Sequence, residues 1–190
     1  MIIGLVNNMP DAALQATERQ FTELLDLASS HDAEPVSVRW FAIPEVARGP
    51  AGLAHIRRHY EDVSRLWCER IDGLIVTGAE PKASSIEEER YWPTLAKLIE
   101  WAAARTYSSL WSCLAAHAAV FRLDGIRRRR LPEKLSGVIP CEKATEHPLV
   151  AGLPACWAMP HSRLNDLPEE ALVGSGYEVL SRLPGGGADL

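Results

Sequence analysis

Cys113 is the residue of this chain whose type and setting are most typical of catalytic chemistry. Residues 106–112 before it have the pattern of a short buried strand, and residues 114–121 after it have the pattern of a helix of small side chains. A sharp turn between strand and helix holds a side chain clear of the backbone, and the helix N-terminus offers free N–H groups and a positive dipole end. Both effects favour the thiolate of Cys113, and the N–H of Leu114 would stabilise an oxyanion. A nucleophilic cysteine is therefore one interpretation, and a buried structural cysteine is equally open at this point.

The segments that position Cys113 belong to an alternation of strands and helices. We predict strands at residues 2–6, 35–41, 72–79 and 106–112. We predict one helix that begins at Asp11 and three more at residues 53–68, 91–104 and 114–121. Apolar strands joined by helices predict a parallel sheet with helices on both faces, and Cys113 at the carboxyl end of a central strand. Because sites in such sheets lie at the carboxyl ends of strands, the candidate loops are residues 7–11, residues 77–82 and the turn at Cys113.

The periodicity is weaker after residue 121. Residues 131–138, 156–165 and 177–180 are predicted to form short strands or ordered loops, and the glycines at 185–187 are predicted to form a turn. We find no internal repeat, linker or low-complexity segment, and this favours a single domain across residues 1–190.

Composition and charge limit the classes of function. The chain has 190 residues, of which 47% are hydrophobic, and this is enough for a substantial core. Its formal net charge of −5 argues against a surface for nucleic acid or for an anionic membrane. No apolar run is long enough to span a bilayer, and the N-terminus lacks the pattern of a signal peptide. The four cysteines are widely spaced and include no C-x-x-C pair, so we expect a cytoplasmic protein without a disulfide framework or a bound metal.

Several short segments carry a family resemblance because they occur together, in order and at a consistent spacing. They are residues 8–10, 72–79, 91–92, Cys113, residues 131–138, 147–149 and 160–163. As an ordered set they resemble the homoserine O-acyltransferase family, also called homoserine trans-succinylases, a branch of the class I glutamine-amidotransferase-like fold. The resemblance implies a flavodoxin-like three-layer α/β sandwich with a mostly parallel sheet, and one acyltransferase domain over residues 1–190.

The resemblance also implies a reaction. Members of this family transfer an acyl group from succinyl-CoA or acetyl-CoA to the hydroxyl of L-homoserine, in methionine biosynthesis. Cys113 matches the cysteine that attacks the thioester and forms an acyl-enzyme, which homoserine then resolves. The family implies acyl-CoA as a co-substrate without any resident cofactor or metal, and a homodimer as the assembly.

Three residues beyond Cys113 match positions that the family places beside the substrate. Lys134 matches an active-site lysine whose ammonium would bind anionic parts of the donor or substrate, although a surface lysine in a turn is the alternative. Ser162 and Arg163 match a His-Ser-Arg segment, in which Arg163 would pair with a carboxylate through two hydrogen bonds. A structural salt bridge is the alternative for Arg163.

The choice of acyl donor depends in the family on the third residue after a Thr-Gly-Ala turn. Family members with glutamate at that position use the acetyl donor, and members with glycine there use the succinyl donor. In this sequence the third residue after the turn is Lys82. A lysine would pair with the second carboxylate of succinate, so its charge favours the succinyl donor. The alternative is that the lysine points away from the pocket, which would then select neither donor.

The sequence departs from the family pattern in two ways. The family completes its triad with a His and a Glu in a later turn, and the sequence stops before such a motif. Either the domain is truncated at its C-terminus or the protein has lost the usual base, and in both cases we expect weaker catalysis. Leu114 and Ala115 replace the usual Trp-Gly, and His117 stands in place of a Gln. Two further hypotheses therefore stay open: another cysteine amidotransferase or hydrolase of the same fold, and a non-catalytic domain derived from it.

Overall fold

The structure, a computed structural model, describes residues 1–31 and 35–190. The chain forms two compact units, Met1–Leu123 and Asp124–Leu190, which we describe in turn. No helix in the described part of the chain is long and apolar enough to cross a membrane.

A parallel sheet of five strands forms the first unit, in the spatial order β3-β2-β1-β4-β5. Its strands are β1 (Ile2–Val6), β2 (Ser37–Ala42), β3 (Glu61–Asp62), β4 (Gly73–Val76) and β5 (Ser108–Trp111). The helices that follow them are α1 (Asp11–His31), α2 (Pro50–His59), α3 (Trp92–Arg105) and α4 (Leu114–Asp124). The predicted α/β architecture with a mostly parallel sheet is confirmed.

Several helices of the first unit begin at residues that are favoured at helix N-termini. Asp11 lies in the first turn of α1, where a carboxylate is favoured by the helix dipole. Prolines stand at the starts of α2 and α3, where the missing N–H costs no helix hydrogen bond. The core forms around the buried strands β1 and β4 and the inner face of α3, which includes Leu95, Leu98 and Ile99.

Two predictions about this unit are wrong. Residues 53–68 do not form one helix, because α2 ends at His59 and is followed by β3 and a short 3₁₀ helix, Val63–Cys68. Asp62 caps that 3₁₀ helix by accepting a hydrogen bond from the Ser64 N–H at 2.8 Å. Strand β5 is not a buried central strand: it lies at the edge of the sheet and three of its four residues are exposed.

An antiparallel sheet of three strands, in the order β7-β6-β8, characterises the second unit. Its elements are β6 (Arg129–Lys143), β7 (Cys156–Asp166), α5 (Glu169–Gly174) and β8 (Ser181–Arg182). Residues 177–180 are not a strand, and pairing begins only at Ser181. The pairing of β6 with β7 is irregular between Arg130 and Leu135, and this bulge contains Lys134. The predicted turn at residues 185–187 is confirmed, and all three glycines there have positive φ.

Candidate active site

Cys113 occupies a strained turn between β5 and α4. Its φ is 56°, and it is the one residue other than glycine with positive φ in the described part of the chain. The side chain is exposed, and the Cys113 carbonyl accepts a hydrogen bond from the Ala116 N–H at 3.0 Å, which starts the first turn of the helix. Leu114 is the first residue of α4, where no preceding turn supplies an acceptor for its N–H. The geometry is therefore that of a nucleophile presented at a helix N-terminus, with a backbone donor beside it.

Gly78 allows the loop after β4 to pack closely against this turn. A Cβ added at Gly78 would lie 2.9 Å from the Leu114 backbone nitrogen and 3.2 Å from the Cys113 Cβ. Both distances are shorter than ordinary contacts, so any side chain there would displace the turn. The sequence predicts this loop as part of the site but not Gly78 itself, for which the glycine of the Thr-Gly-Ala segment is the available signal.

A buried polar network joins the loops that follow β1 and β4. The Asn8 N–H donates to the Thr77 hydroxyl at 2.8 Å, and the Asn8 side-chain amide donates to the Thr77 carbonyl at 3.3 Å. The Ile43 N–H donates to Asn8 Oδ1 at 3.3 Å, and this bond holds the segment after β2 against the loop after β1. Asn8 and Thr77 are both nearly fully buried. The network therefore fixes three loops at the carboxyl edge of the sheet, where sites of such folds lie.

Arg48, which the sequence analysis missed, holds the loop after β1 from the other side. Its guanidinium donates to the Met9 carbonyl at 2.6 Å and to the Asn7 carbonyl at 2.9 Å. The Arg48 side chain is only 1% exposed, and burial lowers its pKa, an effect that nearby Asp11 partly offsets. A buried cation that is bonded to two carbonyls is a rigid support for this loop.

Lys82 lies in a loop that a buried carboxylate holds in place. Glu89 is 6% exposed, and its Oε1 accepts hydrogen bonds from the Lys82 N–H at 2.6 Å and the Ala83 N–H at 2.8 Å. Lys82 also lines a cavity of about 240 Å³. The charged residues around this cavity are Glu45, Glu80, Lys82, Glu88, Glu89 and Arg90. Lys82 is thus one of two cations in a mainly acidic lining.

The other predicted site residues belong to the second unit, on the paired strands β6 and β7. Lys134 and Ser162 are exposed, whereas the Arg163 side chain is half-buried and, by the alternation of β7, on the opposite face from Ser162. Arg163 lies 3.8 Å from an Asp166 carboxylate oxygen and donates to the Ala188 carbonyl at 3.4 Å. Its Nε and Nη2 are buried and have no hydrogen-bond partner among the described residues. That Lys134, Ser162 and Arg163 share a pocket with Cys113 stays a prediction.

Solved structures of other proteins share the fold of this chain. The chain superposes on a putative GMP synthase protein of Thermoplasma acidophilum with a TM-score of 0.65 and 14% identity, covering 100% of this chain and 76% of that one. It superposes on the glutaminase domain of Trypanosoma brucei CTPS with a TM-score of 0.63 and 11% identity, covering 97% and 75%. With Cys113 at its strand-to-helix turn, the fold is that of the class I glutamine-amidotransferase-like proteins. Within that class, the chain belongs to the homoserine O-succinyltransferase family, whose model matches residues 1–190.

Individual relatives agree with this membership. The chain is 50% identical over 188 residues to the homoserine O-succinyltransferase of Rhodopseudomonas palustris, covering 99% of this chain and 56% of that protein. It is 46% identical over 190 residues to the one from Bradyrhizobium japonicum, covering 100% and 58%. The chain spans about half the length of the curated relatives it matches.

Proposed function

We propose that this protein transfers a succinyl group from succinyl-CoA to the hydroxyl of L-homoserine, as a step of methionine biosynthesis, through an acyl-enzyme on Cys113. The observation that carries the proposal is the exposed Cys113 sulfur on a residue with φ of 56° at the N-terminus of α4. Family membership supplies the substrates, because the relatives are homoserine O-succinyltransferases.

The proposed reaction has two balanced steps. The Cys113 thiolate attacks the thioester carbonyl of succinyl-CoA, the C–S bond to CoA breaks, and CoA leaves as a thiol after taking up a proton. The homoserine hydroxyl then attacks the carbonyl of the new thioester, the C–S bond to Cys113 breaks, and the hydroxyl proton passes to solvent. This step leaves O-succinylhomoserine and regenerates the Cys113 thiolate, and its proton balances the one that CoA takes up in the first step. The Leu114 N–H stabilises the oxyanion of each tetrahedral intermediate, and the close packing of Gly78 makes its peptide the second candidate donor.

The remaining predicted residues have binding roles in this proposal. Lys134 and Ser162 bind polar groups of the donor or of homoserine, and Arg163 binds a carboxylate, which would give its two buried unpartnered nitrogens an acceptor. Lys82 favours the succinyl donor over the acetyl donor. The transfer itself requires no metal or resident cofactor, and we propose a cytoplasmic homodimer.

Intact-mass spectrometry after incubation with succinyl-CoA tests the proposal. We expect a succinyl adduct on the wild-type chain that peptide mapping places on Cys113, and no adduct on Cys113→Ser that behaves as a thioester. The matched control is Cys68→Ser, which removes another exposed thiol and should leave the adduct unchanged. A thioester at another residue would remove Cys113 from the mechanism.

The same assay distinguishes the two alternative hypotheses. An amidotransferase or hydrolase of this fold would release ammonia from glutamine, or cleave another substrate, without accumulating a succinyl adduct. A non-catalytic domain would do neither. Either result would contradict the acyltransferase proposal.

A further inference from the structure

A buried thiol, an imidazole and a carboxylate meet in the second unit, on residues that the proposed function does not use. Cys141 on β6 is fully buried, and the side chains of His161 on β7 and Asp189 are 6% and 7% exposed. The Cys141 Sγ lies 3.6 Å from His161 Nε2, which lies 3.4 Å from Asp189 Oδ1. All three potential ligand atoms lie within 4.8 Å of one another.

Two of these separations match the edges of a tetrahedral metal site. Zinc binds sulfur at about 2.3 Å and nitrogen or oxygen at about 2.0–2.2 Å, which places neighbouring ligand atoms about 3.3–3.6 Å apart. The sulfur-to-nitrogen and nitrogen-to-oxygen distances in the cluster, 3.6 Å and 3.4 Å, fit that range. Three protein ligands on one side leave the fourth position for water or another group.

The arrangement differs from a catalytic relay. In a relay, one imidazole nitrogen faces the nucleophile and the other faces the carboxylate. In this cluster the same atom, His161 Nε2, is the nearest nitrogen to both the Cys141 sulfur and the Asp189 carboxylate. The full burial of Cys141 also keeps substrates from its sulfur. Three potential ligand atoms within 4.8 Å of one another suit a cation between them.

Charge and outer contacts favour a divalent cation. A Cys141 thiolate and the Asp189 carboxylate together supply two negative charges. The nearby Arg163 guanidinium lies 3.8 Å from Asp166, whose carboxylate offsets its positive charge. The buried Ser181 hydroxyl donates to Asp189 Oδ2 at 3.1 Å, and this leaves Oδ1 facing His161. Such a hydrogen bond to the outer oxygen is a common way to orient a metal-ligating carboxylate.

We propose that Cys141, His161 and Asp189 form a zinc site that stabilises the second unit. Sulfur, imidazole and carboxylate ligands in a tetrahedral arrangement are the set that zinc prefers. Zinc binds the cysteine as a thiolate, so binding at Cys141 releases the proton of its thiol to solvent.

Titration of the full chain with cobalt(II) under reducing conditions tests the site, because cobalt occupies zinc sites and reports its ligands in its absorption spectrum. We expect a thiolate-to-cobalt charge-transfer band and the visible bands of tetrahedral cobalt, saturating at one equivalent and abolished by added zinc. Cys141→Ser should remove the charge-transfer band. The matched control Cys156→Ser removes an exposed cysteine of the neighbouring strand and should retain it.

Two milder variants keep the test decisive where Cys141→Ser fails to fold. Asp189→Asn should weaken cobalt binding while circular dichroism shows the native fold, and Ser181→Ala should weaken it on the order of 10–100-fold. Zinc should also raise the Tm of the wild-type chain and of Cys156→Ser, but not of Asp189→Asn. The absence of tetrahedral bands in the folded wild type would overturn the proposal, as would bands that Asp189→Asn leaves unchanged. Neither readout depends on acyl transfer, so the failure of one proposal leaves the other standing.

Discussion

Cys113 has a backbone conformation that residues with a side chain seldom adopt, and this links its reactivity to a cost in stability. Left-handed φ costs a non-glycine residue about 1–2 kcal/mol. We therefore expect Cys113→Gly to increase the free energy of unfolding by about 1 kcal/mol while abolishing the succinyl adduct. Urea denaturation measures the first effect and mass spectrometry the second.

Cys113→Ala is the matched control for this prediction. It removes the sulfur but keeps a Cβ at φ of 56°, so it should lose the adduct without gaining stability. Equal unfolding free energies for the glycine and alanine variants would show that the turn stores no strain.

Gly78 provides a second prediction at the scale of single residues. An alanine there would place a methyl group 2.9 Å from the Leu114 nitrogen, so the turn at Cys113 must shift. We expect Gly78→Ala to cost about 1–3 kcal/mol of stability and to slow acylation of Cys113. Gly174→Ala is the control, because no heavy atom lies within 4 Å of a Cβ at that position. Unchanged acylation in Gly78→Ala would show that the close approach is not needed.

At the scale of elements, the loop after β4 depends on one buried carboxylate. Glu89→Ala leaves the Lys82 and Ala83 N–H groups without their acceptor, and a buried donor left unpaired costs about 1–3 kcal/mol. Glu89→Gln should cost less, since both bonds go to Oε1 and an amide oxygen accepts them as well. Thermal unfolding of the two variants measures the difference, and equal destabilisation would mean that the charge rather than the acceptor matters.

The same loop carries the predicted choice of donor. Lys82→Glu places another negative charge in a cavity already lined by Glu45, Glu80 and Glu88, so the second carboxylate of succinate should be repelled. We expect the ratio of kcat/KM for succinyl-CoA over acetyl-CoA to fall. The ratio for Lys82→Gln should lie between the two. A ratio that neither variant changes would remove Lys82 from donor selection.

At the scale of the whole molecule, one hydrogen bond should make the free energy of unfolding fall at alkaline pH. The Tyr177 hydroxyl donates to an Asp124 carboxylate oxygen at 2.5 Å, and burial together with this carboxylate raises the pKa of Tyr177 to about 12 from 10.0. Because the folded pKa exceeds the unfolded one, the stabilisation is complete below about pH 10 and is lost as the pH rises through about 12.

Tm measured against pH for the wild type and Tyr177→Phe checks this dependence. The difference in Tm should be constant up to about pH 10 and then shrink. Tyr107→Phe is the control, because Tyr107 is 99% exposed and its substitution should leave the curve of the wild type unchanged. A difference that persists unchanged to about pH 12 would contradict the role of the Tyr177 proton.

The sequence by itself determined the features that arise from local pattern. Apolar runs and the change from strand to helix at Cys113 predict the α/β fold, a sharp turn at Cys113 and the loops at residues 7–11 and 77–82. Each of these depends on residues close together in the chain, and so can be inferred from their order.

Only the tertiary structure decided which distant residues meet. The edge position of β5, the packing of Gly78 against Leu114, and the cluster of Cys141, His161 and Asp189 all depend on pairings between separate segments. Cys141 and His161 are 20 residues apart in the chain, far from the spacing of a local metal motif, so no sequence signal predicts the cluster. In the antiparallel register of β6 and β7, Cys141 pairs with Trp157 and His161 pairs with Gly137, so the two side chains meet by reaching along the sheet and not as paired residues. Which side chains can reach each other depends on the strand register, and the register depends on which face of the sheet is buried, which neither strand determines alone.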